Sequence, residues 1–126
     1  MKLIQISQNA SDLARATAFY TELLGTGPAA EFPEPGLVFF DLEGTRLLLE
    51  SGEPGGLLYL EVPDVRGALP LLRARGVKIL REPGIIFRHT DSTLGPAGTD
   101  EWMAFIEDSE GNTVGLVSQL APGPSE

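Results

Sequence analysis

The chain has no cysteine, one histidine, one tryptophan and two methionines in 126 residues. Without cysteine there is no disulfide framework, no thiolate metal site and no cysteine nucleophile. With His89 as the sole histidine, any mechanism that needs two imidazoles is excluded. Basic clusters are scarce. Arg73, Arg75, Lys78 and Arg81 stand close together, but they read as decoration on a helix end and the strand after it. No nucleic-acid-binding face is therefore expected. No apolar run reaches the ~20 residues that span a bilayer, and Met1-Lys2-Leu3-Ile4 enters a strand with no leader pattern. The expectation is a cytoplasmic protein with no membrane partner. The net charge of −9 is spread along the chain, −5 over residues 1–54 (three Lys/Arg against eight Asp/Glu) and −4 over 55–126 (six against ten). Such a balance favours cationic over anionic ligands.

What the chain does have is a repeated pattern. Residues 105–117, FIEDSEGNTVGLV, read as a hairpin: an apolar run, an acidic turn closing on Gly111-Asn112, and a β-branched run. The acidic turn lacks the ligand spacing of a calcium loop. The same shape occurs at 39–49, FFDLEGTRLLL, and a shift of 67 positions lays Asp41 on Asp108, Gly44 on Gly111 and Leu48 on Gly115. A second shift, of 52, lays Gln5 on Leu57 and Asp12 on Asp64. The chain reads as two copies of one unit, residues 1–52 and 53–126, sharing a single structural domain.

Taken in order, residues 2–7 alternate as a strand, Ser11-Asp12 caps a helix, and Leu13, Ala16, Phe19, Tyr20, Leu23 and Leu24 recur at helical spacing before Gly25. Phe19 and Tyr20 are expected in the core. Pro28, Pro33 and Pro35 make 26–36 a loop or an edge strand. Residues 37–42 and 45–50 form the first hairpin, and 51–56 form a linker. The second copy opens at 57–62, with Asp64 as cap. Its helix, 65–75, carries Val65, Ala68, Leu69 and Leu72, and Pro70 inside it leads to the expectation of a kink or a loose first turn. A strand over 77–81, resuming at 85–88, precedes a polar loop over 89–101.

Strand parity then separates two faces. Ile4, Ile6, Leu47, Leu49, Leu58, Leu60, Val62, Val114 and Leu116 are uniformly apolar and call for a cover of helices. The opposite parity carries Gln5, Ser7, Arg46, Leu48, Glu50, Leu57, Tyr59, Glu61 and Gly115. Such a mixture of aliphatic, aromatic and isolated charged residues suits a concave ligand cavity, although an exposed face or a subunit interface would read the same way.

Two βαβββ copies, the "SDL…FYTELLG" first helix and the "DSEGN" hairpin resemble the vicinal oxygen chelate superfamily, which groups glyoxalases, bleomycin-resistance proteins and extradiol dioxygenases. The resemblance extends to about Gln119. It implies an α+β fold in which two βαβββ half-modules form a curved mixed sheet with helices on the convex face, and it implies a homodimer. The metal enzymes of that family place His or Gln, Glu, His and Glu on four strands. Carried over by position, these fall on Gln5, Leu48, Leu57 and Gly115. Leucine and glycine offer no side-chain donor to a divalent cation. The resemblance therefore implies a cavity with neither metal nor other cofactor.

The first expectation is a binding protein for a small aromatic or cationic molecule. Tyr59 and Trp102 would supply stacking surfaces, Glu50 and Glu61 counter-charges, and Arg46 orientation. The alternative is a metal-free lyase or isomerase using Glu50 or Glu61 as general base beside Arg46. A third is a metal enzyme with ligands drawn from Gln5, Glu50, Glu61 and His89. Arg46, Glu50 and Glu61 equally read as a structural ion-pair set. His89, alone in a polar loop, reads as a surface residue before it reads as a wall of the site.

Overall fold

The computed structural model describes residues 1–52, 55–107 and 113–123. The chain divides into two compact units, Ile4–Leu57, and Met1–Leu3 together with the chain from Leu58 onward. Each carries one βαβββ half-module, and the α+β class holds.

The first half-module runs β1 (Leu3–Asn9), α1 (Leu13–Leu24), β2 (Ala30–Phe32), β3 (Leu37–Leu42) and β4 (Thr45–Glu50). Its strands lie in the order β2-β3-β4-β1, with β1 parallel to β4 and the other pairs antiparallel. Asp12 caps α1 by accepting the Arg15 amide at 3.0 Å, and Gly25 closes the helix in the left-handed region at φ 72°. The β3–β4 turn rests on Glu43 and Gly44, both at positive φ, 54° and 96°, the backbone a two-residue primed turn requires. Asp41 steadies it by accepting the Gly44 amide at 3.0 Å.

The second half-module repeats the plan with β5 (Leu58–Glu61), α2 (Val65–Ala74), β6 (Lys78–Arg88), β7 (Asp100–Glu107) and β8 (Thr113–Leu120), in the order β5-β8-β7-β6. Strand β5 is parallel to β8, as β1 is to β4. Asp64 caps α2, accepting the Arg66 amide at 2.9 Å, and α2 stays helical through Pro70. Strand β6 is one strand of 11 residues, not two pieces, with register shifts near Arg81, Gly84 and Phe87. Pro83 fits there because β6 is an edge strand with one side free of ladder bonds. The acidic turn at 108–112 lies outside the described residues, but the strands it joins pair in register from Asp100↔Leu120 to Glu107↔Thr113.

Each half-module buries its own core between helix and sheet. In the first, Ala10, Val38, Phe40, Leu47 and Leu49 meet Leu13, Ala16, Tyr20 and Leu24. In the second, Val62, Val65, Leu69, Ala104 and Leu116 meet Leu60, Leu72, Trp102, Ile106 and Val114. Phe19 departs from expectation: it is 60% exposed. The spacing Leu13-Ala16-Tyr20-Leu24 forms the stripe that meets the sheet, and Phe19 and Leu23 each precede a stripe residue by one position, about 100° round the helix. Phe19 instead packs edge-on against Tyr20, with centroids 5.3 Å apart.

Candidate functional site

On the first half-module, the face of the sheet away from α1 carries Gln5, Ser7 and Asn9 on β1, standing opposite Arg46, Leu48 and Glu50 on β4. Strand β3 adds Phe39 opposite Leu48, and Leu37 opposite Glu50. Gln5 and Ser7 are 2% and 1% exposed, and Leu48 is buried beside them. The side-chain oxygens Gln5 Oε1 and Ser7 Oγ have no hydrogen-bond partner among the described residues. The Arg46 guanidinium lies over the Phe39 ring, 5.9 Å from its centroid, and Phe39 packs edge-on against Phe32 at 5.9 Å. Glu50 is half-buried at the end of β4. Leu57 contributes backbone here, its carbonyl accepting the Ser7 amide at 3.3 Å. Phe39 and Phe32 are aromatic neighbours of this face that sequence reasoning did not single out. The β3–β4 register supplies them.

On the second half-module, Tyr59, Glu61, Gly115, Val117, Met103, Phe105 and Glu101 share the parity that faces away from α2. Tyr59 is buried, and its ring lies across Gly115: a Cβ built on Gly115 would meet Tyr59 Cδ2 at 2.6 Å and Phe105 Cε1 at 3.2 Å. The Tyr59 and Phe105 rings meet edge-on, with centroids 6.1 Å apart. The ring thus occupies the space a side chain at 115 would need. Trp102 sits on the other face, with the α2 core, and the Arg66 guanidinium lies 4.7 Å from its ring centroid. It is not brought together with Tyr59, because it stands opposite Ser118, one step out of phase with the Phe105–Gly115 pair.

His89 is 2% exposed, which corrects its reading as a surface residue. Its Nε2 lies 3.0 Å from Glu101 Oε1, and Gln119 Nε2 donates to the same oxygen at 3.0 Å. The loop over 90–99 folds onto this group. The His89 amide donates to Thr99 O and the Gly98 amide to His89 O, closing the neck of the loop at 2.9 and 2.7 Å. Gly95 sits so close that a Cβ there would lie 2.7 Å from Gln119 Nε2 and 2.9 Å from His89 Cε1. One step along the strands, Arg88 Nε donates to buried Asp100 at 2.6 Å, which pushes the arginine's pKa above its ordinary value. The sequence did carry a signal for both pairs: the doublets Arg88-His89 and Asp100-Glu101 frame the loop at a constant spacing of twelve. Glu61 is exposed and lines an open cleft of about 510 Å³ whose walls include Lys2, Val62, Pro63, Pro96 and Gln119.

The donor set does not suit a divalent metal. Of the four positions carried over from the metal enzymes, Gln5 alone bears a side-chain donor. Leu48 is buried carbon, Leu57 is aliphatic, and the space at Gly115 holds the Tyr59 ring. Glu50 does not supplement Gln5. Gln5 stands opposite Arg46, and Glu50 four positions further along β4, roughly 13 Å at ~3.3 Å per residue, with side chains standing off the sheet rather than along it. Among the described residues no three His, Cys, Asp or Glu side chains gather closely enough to hold an ion.

The family model for the glyoxalase/bleomycin resistance protein/dioxygenase superfamily matches residues 2–116. No curated protein matches the chain. Among solved structures, it is similar to a glyoxalase/bleomycin resistance protein/dioxygenase superfamily member from Vibrio splendidus 12B01 at 14% identity and TM-score 0.67, covering 94% of this chain and 98% of that one. It is similar to Streptomyces coelicolor methylmalonyl-CoA epimerase in complex with 2-nitronate-propionyl-CoA at 18% identity and TM-score 0.66, covering 97% and 99%. A third likeness is to a chain described as an NAD-dependent benzaldehyde dehydrogenase from Legionella pneumophila, at 16% identity and TM-score 0.64, covering 90% and 96%. Likeness at these identities is likeness of fold, and one fold carries many reactions.

Proposed function

The chain belongs to the glyoxalase/bleomycin resistance protein/dioxygenase superfamily, and from that footing we propose that it binds a small, partly aromatic or cationic molecule without a resident metal. The observation that carries the reading is the pair of buried, unpartnered acceptors Gln5 Oε1 and Ser7 Oγ on the helix-free face of the first half-module. A buried polar atom left unsatisfied costs about 1–3 kcal/mol, and native proteins keep few of them. A ligand carrying N–H or O–H groups would remove that cost. Leu48 and the Phe39 ring supply apolar surface beside the acceptors, and Glu50 a counter-charge at the rim. The homodimer expected from the resemblance is part of the same proposal. It is supported by the apolar side chains left exposed along edge strand β6, among them Leu80, Ile85, Ile86 and Phe87.

The test is a thermal-shift panel of aromatic amines on the purified protein, because a ligand selective for the folded state raises Tm. Ser7→Ala serves as the control. Removing an orphaned hydroxyl leaves the Tm of the free protein unchanged or raised, and shrinks the ligand-induced rise. If no member of the panel raises Tm, or if Ser7→Ala lowers the free protein's Tm by several degrees, the reading falls.

A further inference from the structure

The buried group His89–Glu101–Gln119 has a consequence for the open cleft beside it, and the cleft lies wholly within the compact unit that carries the second half-module. The Gln119 amide turns its nitrogen to Glu101, donating from Nε2 to Oε1 at 3.0 Å. Glu101 is itself held by His89, and Gly95 packs against both the imidazole and the amide nitrogen. The amide therefore has one orientation, which leaves its carbonyl oxygen as the acceptor it can offer to the cleft it lines. Glu61 lines the same cleft with an exposed carboxylate. Lys2 brings the opposite charge, held alongside by the bond from the Glu61 amide to the Lys2 carbonyl at 2.8 Å. Between them lie Val62, Pro63 and Pro96. We propose that this cleft is a binding site for a small zwitterion with an apolar body, such as an α-amino acid or the equivalent end groups of a short peptide. Its ammonium is taken by Glu61 and the Gln119 carbonyl, its carboxylate by Lys2, and its body by the prolines and Val62. Glu101 and His89 are positioning residues that fix the amide. The site goes beyond the reading for the first half-module and stands or falls separately from it.

The test is NMR titration of the full-length ¹⁵N-labelled protein with three probes: L-leucine, N-acetyl-L-leucine, which lacks the ammonium, and L-leucinamide, which lacks the carboxylate. Leucine should shift the Gln119 side-chain amide and the Glu61 backbone amide saturably, and each truncated probe should bind about tenfold more weakly, the loss expected for one charge-assisted hydrogen bond. Glu61→Gln, a change at an exposed side chain that spares the fold, should weaken leucine and leucinamide and leave N-acetyl-leucine unchanged. Glu101→Gln can donate as well as accept, so it frees the amide to flip, and the discrimination between leucine and N-acetyl-leucine should narrow to the part that Glu61 supplies. Loss of packing alone would weaken all three probes equally. The proposal is overturned if leucine gives no saturable shift at Gln119, if the three probes bind alike, or if Glu61→Gln changes nothing. The part of the aromatic-amine thermal shift that Ser7→Ala removes bears on the first half-module alone and leaves this outcome untouched.

Discussion

Gly115 and Tyr59 act as a pair. The ring is buried because residue 115 has no side chain, and residue 115 can lack one without leaving a void because the ring fills the space. Gly115→Ala should therefore cost about 1–3 kcal/mol, the usual range for overpacking a filled site. In a Tyr59→Ala background the same substitution should cost little. Urea denaturation of the two single variants and the double variant measures the coupling, and simple additivity would count against the packing described. The glycine was legible in the sequence as a missing donor, but what took its place was not. Tyr59 and Gly115 lie far apart in the chain and meet through the β5–β8 register, which composition does not reveal. His89 shows the same limit. A lone histidine in a run of Thr, Asp, Ser and Gly looks solvated until Glu101, twelve positions on, is brought opposite Phe87 by the pairing of β6 with β7.

At the scale of elements, local signals served best. Both caps, the left-handed Gly25 and the Glu43–Gly44 turn form where the sequence placed them, because each depends on a few neighbouring residues. The caps also give a pH prediction. Hydrogen bonds from the Arg66 side chain hold the Asp64 carboxyl below its ordinary pKa. A carboxyl depressed in the folded state lends stability that is fully present above the pKa of the unfolded chain and is lost as pH falls through the folded value. Asn caps a helix as well as Asp does but carries no charge. The stability gap between the native protein and Asp64→Asn should thus be constant near neutrality and close in acid, below the ordinary carboxylate range. Denaturant melts across that interval check it, and a gap that persists at the lowest pH would sink the assignment. Non-local elements were harder to read: β6 looked like two strands because Pro83 and Gly84 interrupt it, and only its place at the sheet edge makes a single strand tolerable.

For the whole molecule, the internal repeat was the most legible feature. Two half-modules of identical strand order follow from shifts visible in the bare sequence. The proposed dimer predicts that light scattering on the purified chain gives twice its 13.5 kDa mass. Exposed apolar side chains on a long edge strand attract a partner, and a charge placed among them repels one. Phe87→Lys should return the protein to a single-chain mass without loss of secondary structure, and a dimer indifferent to that change would place the contact elsewhere.

The packing of Tyr59 on Gly115 also bears on how the two positions can vary. A side chain as large as a carboxylate does not fit at position 115 by one substitution, since the aromatic neighbour would have to leave in the same step. Either change made first costs stability. Two positions so dependent on each other should change together among related chains, with glycine kept at 115 wherever an aromatic ring stands at 59.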